Sequence, residues 1–342
     1  MHSSNFSLTQ SEGMAAPASS RFAVIGKWFA AFAIGMACIP AHAEDFAGKQ
    51  LKITAPAAPG GGWDSSARSL QQVMMSTKAV PSVQVVNIPG AGGTVGLAQF
   101  SGSAKKDPNQ LLMMGVTMVG AILTNKAPVG LDSVKPIARL TADPLVIVVP
   151  AASKYKTLAD LAADLKADTS RVVWAGGSAG GADHILAGLF AKAAGGDAAK
   201  LNYVPFSGGG EALAEMLGGR VSAGISGYNE FESQVKAGSL RALAVSTQER
   251  ISGVDVPTLK EQGYDVTFTN WRGLVAGADI TDAQRNALSE LAKTVLASAE
   301  WKKIIKARGW EDAYLNATDY ATFLKEEQVR VRGALESIGL LK

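Results

Sequence analysis

Residues 51–75 read LKITAPAAPGGGWDSSARSLQQVMM, and three patterns follow one another within them. Positions 51–56 are apolar enough for a buried strand. The run Pro59-Gly60-Gly61-Gly62 then breaks the chain. After it, Ala67, Leu70, Val73 and Met74 recur at spacings of three and one, one face of an amphipathic helix. Strand, glycine loop and helix in that order form the building unit of an α/β fold. The same order returns along the chain. Further strand candidates lie at 83–88, 111–116, 145–149, 171–175, 200–204, 221–225, 240–246 and 266–269, with helical spacing between them. Thr157-x-x-Asp160 and Thr281-x-x-Gln284 mark helix starts of the capping-box kind. Roughly the last 60 residues read as purely helical. The expected architecture is α/β, in two lobes, with mostly parallel sheets covered by helices on both faces.

Composition narrows the function. Of 342 residues, 47% are hydrophobic and 18% charged, which fits a folded chain and excludes a disordered one. A net charge of +3, without a basic run interleaved with aromatics, argues against a nucleic-acid partner. At the N-terminus, 28–39 (WFAAFAIGMACI) is an apolar run preceded by Arg21 and Lys27 and closed by Pro40. It is too short for a membrane span, which needs about 20 apolar residues. Ala41-His42-Ala43 follows with the small-residue spacing of a cleavage site, so 1–43 reads as a secretory signal peptide cut after Ala43. The exported remainder then has no cysteine and one histidine, His184. Disulfides, thiol nucleophiles and Cys/His zinc sites are excluded. A periplasmic location is expected, with no metal and no cofactor.

Four glycine clusters stand after a strand and before a helix: 59–64 (PGGGWD), 89–93 (PGAGG), 176–181 (GGSAGG) and 207–210 (SGGG). Helix N-termini carry unpaired N–H groups and partial positive charge, and glycine lets a ligand approach them. Such loops make anion sites without cationic side chains, at the strand ends where ligands of open α/β sheets sit. The same loops also serve tight turning alone. Three enzyme readings compete. Gly176-Gly177-Ser178-Ala179-Gly180 matches the G-x-S-x-G nucleophile elbow, which would make Ser178 the nucleophile of a secreted hydrolase. Its histidine would have to be His184, on the helix this same loop opens, where it cannot serve Ser178. Gly90-Ala91-Gly92 with Gly96 approximates a dinucleotide fingerprint but misses the spacing and the acidic partner. No glycine loop runs on into Gly-Lys-Ser/Thr, so a phosphate loop is absent.

Several side chains are ambiguous. Asp64 and Asp183 sit at helix starts, where capping competes with a role in the pocket. Arg68 is placed to pair with Asp64 four residues earlier. His184 is a candidate donor to a carboxylate, and Arg272 a candidate carboxylate clamp. Trp63, Phe206 and Tyr228 are candidate pocket walls.

Taken together, 58–64, 87–93, 177–184, 204–210, Arg241-Ala242-Leu243-Ala244-Val245-Ser246, Val256-Pro257-Thr258-Leu259 and Asn270-Trp271-Arg272-Gly273 resemble the extracytoplasmic substrate-binding proteins of tripartite tricarboxylate transporters, the Bug family. The Gly-Trp-Asp and Asn-Trp-Arg-Gly forms look closest to its tricarboxylate-binding branch. The resemblance implies a two-lobed, hinge-closing fold of the periplasmic-binding-protein type II kind, with the chain crossing between lobes twice. Lobe 1 would be 44–144 plus 268–342, and lobe 2 145–267. It implies a monomer that captures a citrate-like di- or tricarboxylate and delivers it to a membrane permease, with no enzymatic activity. Ligand contacts carry over to Pro59, Gly60, Gly61, Gly62 and Asp64 in the first loop, and to Gly90, Ala91, Gly92 and Gly93 in the second. In the other lobe they carry over to Ser178, Ala179, Gly180, Gly181 and Asp183. His184 and Phe206 join them as candidates from the reading of side chains above. Asp183-His184 departs from the family by adding an acid where many relatives have a small or hydroxyl residue, which points to a hydroxylated ligand. A periplasmic carboxylate sensor without transport remains an alternative on the same residues.

Overall fold

The computed structural model describes residues 50–207 and 209–341. The expected signal segment 1–43 and its cleavage site, and Gly208, lie outside the described residues. The elements alternate as expected: β1 (Gln50–Ala55), α1 (Gly62–Ser76), β2 (Ser82–Asn87), α2 (Thr94–Ser103), β3 (Gln110–Gly115) and α3 (Val116–Thr124). Then follow β4 (Val134–Pro150), α4 (Leu158–Ala167), β5 (Val173–Gly176), α5 (Ala182–Ala193), β6 (Asn202–Pro205), α6 (Gly209–Leu217), β7 (Ala223–Gly227), α7 (Tyr228–Lys236) and β8 (Leu240–Val245). The chain closes with β9 (Thr269–Gly277), α8 (Asp282–Ala297), α9 (Ala299–Arg308), β10 (Glu311–Leu315) and α10 (Ala317–Ser337).

The local signals act as their chemistry requires. Helix α1 buries Ala67, Leu70, Val73 and Met74, the positions whose spacing defined it. Thr157 and Thr281 both close reciprocal capping boxes, with Asp160 and Gln284.

Two sheets are joined through one strand. In the first, β1 pairs in parallel with β2 and β3, while β3 runs antiparallel to β9. In the second, β5 pairs in parallel with β6 and β7. Strand β4 belongs to both: Val134 to Pro144 pair with β9, and from Leu145 onward its partners are β7 and β8. The fold is the two-lobed α/β type with two crossovers.

Three expectations need correction. Strands β4 and β9 run antiparallel to their neighbours, so the sheets are mixed rather than mostly parallel. The sequence reading found only the second half of β4. Its first half, VKPIARLTADP, contains Pro136 and Pro144 and alternates irregularly, because the strand is bulged: its register with β9 shifts between Pro136 and Ala138 and again between Arg139 and Thr141. The C-terminal region is not purely helical, since β10 inserts there and pairs with β4.

Candidate functional site

The glycine loops after β1, β2, β5 and β6 meet around one cavity of about 370 Å³ between the two sheets. From the first loop it is lined by Ala57, Ala58, Gly62 and Trp63, and from the second by Pro89, Gly90, Ala91, Gly92 and Gly93. The opposite wall holds Gly177, Ser178, Ala179 and Asp183, with Phe206 and Ser207 after β6. Its floor is built from Ser226 of β7, Glu230 of α7, and Asn270 and Arg272 of β9.

Backbone geometry shapes the donors. Gly92 has φ +63°, and a Cβ there would lie 2.5 Å from the Ala121 side chain, so only glycine fits. Its neighbour Ala91 also takes positive φ, +48°, an unfavourable conformation for alanine. It is held by Asn125, whose Nδ2 donates to the Ala91 carbonyl at 3.1 Å. Gly62 opens α1, and a Cβ on it would lie 2.3 Å from an Arg272 guanidinium nitrogen. The Gly62, Trp63, Ala91, Gly92, Ser178 and Ala179 amides have no acceptor among the described residues. These N–H groups are available to an anion.

The residues expected at the site divide into two groups. Gly62, Gly90, Ala91, Gly92, Gly93, Ser178, Ala179, Asp183 and Phe206 line the cavity. The others do not line it, and each has a structural task. Gly61 caps α1, and its amide donates to the Ala58 carbonyl at 3.1 Å. The Gly60 amide donates to Asp64 Oδ2 at 2.8 Å, and Pro59 belongs to the same turn. Asp64 is buried and also accepts from Arg68 Nε at 2.9 Å and Asn87 Nδ2 at 2.8 Å. Asp64 thus ties the first loop to β2. Its carboxyl lies below the usual range, because these hydrogen bonds and the Arg68 charge outweigh the cost of burial. Gly180 and Gly181 turn the chain into α5.

His184 also lies outside the lining. Its Nδ1 accepts from the Gly180 amide at 3.2 Å, and its ring stacks on Tyr203 with centroids 4.0 Å apart. Burial lowers its pKa to about 4, so the ring is neutral at physiological pH. With its Nδ1 lone pair engaged and its ring stacked, it cannot act as base for Ser178. The hydrolase reading loses its only histidine.

Asp183 is buried at the N-terminus of α5, and its Oδ2 accepts from the Gly177 amide at 2.7 Å. Burial pushes its pKa up to about 7, against the pull of that amide. Burial also raises Glu230, which accepts from the Ser226 hydroxyl and the Gly209 amide. Arg272 is buried beside them, with Nη1 on Asn270 Oδ1 at 2.9 Å and Nη2 on Asp143 Oδ2 at 3.3 Å. Sequence reasoning missed Glu230, Ser226, Thr117 and Asn125. Glu230 stands where the glycine loops stand, just after a strand at a helix start, but its loop has no glycine cluster to draw attention to it.

A stability consequence follows for Asp183. Its folded pKa is above the unfolded value, so the folded state holds the extra proton and loses stability as pH rises from about 4 to about 7. Asp183→Asn should therefore gain stability relative to the parent across that window and no further above it. Thermal unfolding of both proteins from pH 4 to 8 checks this; a constant difference would remove the burial argument.

The two walls also touch. The Ala182 amide donates to Thr117 Oγ1 at 3.3 Å, and Gly120 of α3 lies so close to Gly180 that a Cβ on it would be 2.0 Å from the Gly180 carbonyl oxygen.

The family described as tripartite tricarboxylate transporter family receptor matches residues 66–340. A UPF0065 protein from the TAR-I ttuE-ttuC' intergenic region of Agrobacterium vitis is 33% identical over 263 residues, 75% of this chain and 74% of that protein. Among solved structures, a TctC solute-binding protein from Polaromonas is 25% identical with a TM-score of 0.63, covering 84% of this chain and 98% of its own. MatC from Rhodopseudomonas palustris, solved with bound malate, is 23% identical with a TM-score of 0.75, covering 84% and 98%. With that family matched over most of its length, this chain belongs to the receptor family of tripartite tricarboxylate transporters, whose members are substrate-binding proteins rather than enzymes.

Proposed function

We propose that the protein captures a small organic di- or tricarboxylate, citrate-like in size and charge, between its lobes and delivers it to the membrane permease of a tripartite transporter. The observation that carries this reading is the convergence of unpaired amides from both walls on one cavity. A buried carboxylate costs several kcal/mol unless its oxygens are satisfied, and amide donors satisfy them with charge-assisted bonds. The contacts are the amides at Gly62, Ala91, Gly92, Ser178 and Ala179, with Phe206 as an apolar wall. That a protein of the same fold holds malate supports the class of ligand.

On this reading lobe 1 is 44–144 with 268–342, lobe 2 is 145–267, and the exported chain begins after Ala43. Among the described residues no helix is long and apolar enough to cross a membrane. Ligand contacts on both lobes favour the closed form over the open one, which offers only one set. A panel of di- and tricarboxylates should therefore raise the melting temperature of the purified protein, by the equivalent of about 2.7 kcal/mol at a hundredfold excess over Kd. A flat response across the panel would overturn the proposal.

A further inference from the structure

Strand β9 presents side chains to two cavities. Asn270 and Arg272 line the one between the glycine loops, and Thr269 and Trp271, which alternate with them, line another of about 440 Å³ on the opposite face. Among the described residues none lines both. The rear cavity also takes in Arg139 and Ala142 of β4, Ala313 of β10, Phe323 of α10, and Phe268 just before β9. Arg139 is the group its surroundings leave unfinished. Its guanidinium lies over the Phe323 ring, 4.4 Å from the centroid, and its Nε donates to the Ala313 carbonyl at 2.7 Å. Those two contacts fix the plane of the fork and leave its Nη end without a hydrogen-bond partner among the described residues.

Charge compensation is incomplete as well. Of the carboxylates, Glu327 acts on Arg139 through its charge, without a hydrogen bond between them. The Glu327 oxygens are already bonded: Oε2 accepts from Arg330 Nε and Oε1 from Arg330 Nη2, both at 2.6 Å, and Oε1 also from Trp271 Nε1 at 2.8 Å. One buried carboxylate therefore serves two guanidiniums, and burial lowers the Arg139 pKa in spite of it. Anchoring β10 to β4 accounts for the Arg139 Nε but not for the free end of the fork. The remaining wall is apolar, from Phe268, Trp271, Phe323 and the two alanines, and the exposed side carries Glu311 and Asp312 of β10.

We infer that this rear cavity is a second binding site, for a small monocarboxylate with an apolar body, whose carboxylate is gripped end-on by Arg139. A carboxylate in line with the fork takes two parallel charge-assisted hydrogen bonds from the Nη atoms and brings the negative charge that Glu327 shares out too thinly. The apolar body then covers Phe268, Trp271 and Phe323 and displaces water from them. The acids of β10 set the limit on what fits. A second carboxylate reaching the exposed side would meet Glu311 and Asp312, two like charges, whereas a ring or a short hydrocarbon chain meets no penalty there. The rear cavity thereby discriminates against the di- and tricarboxylates proposed for the glycine loops.

The experiment uses the purified protein with benzoate and a brominated analogue. In crystals soaked with 4-bromobenzoate, the anomalous signal of bromine should mark a ligand in the rear cavity with its carboxylate on Arg139. The compound 2-bromoterephthalate, which adds a second carboxylate, should give no signal there. In solution, calorimetric titration should show benzoate affinity falling at least about tenfold in Arg139→Gln, and by less in Arg139→Lys, which keeps the charge and loses the fork. Phe323→Ala, on the apolar wall, should weaken it by roughly threefold or more. Melting temperatures check that each variant is folded. Bromine confined to the glycine-loop cavity would overturn the inference, as would benzoate affinity unchanged in both Arg139→Gln and Phe323→Ala. Equal occupancy of the rear cavity by 2-bromoterephthalate would overturn it too. A rear signal in the crystal without measurable binding in solution would show binding at crystal concentration only and end the proposal.

Discussion

Arg272→Ala is expected to lower the unfolding free energy at pH 7 by about 3–5 kcal/mol, the range for removing one partner of a buried ion pair. Arg272 and Asp143 are both buried, and Asp143 Oδ1 has no other partner among the described residues. Burial already pushes the Asp143 pKa up to about 6 despite the guanidinium beside it. Without Arg272 the carboxyl must either stay charged without a counter-ion or take up a proton. The deficit should therefore shrink as pH falls from 7 towards 4, where Asp143 is neutral in either protein. Arg272→Ala combined with Asp143→Asn should recover part of the loss, a coupling that marks the pair as the cause. Urea unfolding of the parent, Arg272→Ala, Asp143→Asn and the double variant at pH 7 and pH 4 measures this. A single-variant loss below about 1 kcal/mol would mean that Arg272 is not needed to neutralise the floor.

Gly120→Val is expected to weaken solute affinity by roughly 100-fold while leaving the melting temperature of the solute-free protein close to that of the parent. Gly120 sits in α3, and any Cβ there collides with the Gly180 backbone carbonyl of the other wall, which cannot rotate away as a side chain would. Separating the walls relieves the clash, so the substitution penalises the approach of the lobes far more than the folding of either one. If closure is how the ligand gains its second set of contacts, its affinity falls by whatever the closed form has lost. Calorimetry gives the affinity, and small-angle scattering with saturating ligand should show the variant less compact than the parent. Undiminished binding by Gly120→Val would mean that the walls need not meet.

Much of this arrangement is legible in the amino acids because it is local. A glycine run between an apolar run and a 3.6-residue period names a strand–loop–helix unit without reference to anything distant. Hence the loops at 59–64, 89–93 and 176–181 could be read directly, and the capping boxes at Thr157 and Thr281 with them. What could not be read depends on long-range pairing. The first half of β4 is a strand because β9 and β10 bond to it, not because its prolines and charges favour extension. Asp64 and Asp183 look alike in sequence, each an acid behind a glycine loop. Three-dimensional surroundings separate them: Asn87 and Arg68 draw Asp64 inward, whereas Asp183 has only one amide and keeps an oxygen for the cavity. Glu230 was invisible because its neighbours in space, Ser226, Gly209 and Arg272, come from three elements.

Strand β4 carries a mechanical consequence. Its 17 residues pass from one sheet into the other without a loop between them. A swing of one half of the protein against the other cannot be taken up by a slack tether at this crossing. It must be spread as torsion along hydrogen-bonded backbone, with the bulges near Pro136 and Arg139 as the most compliant points.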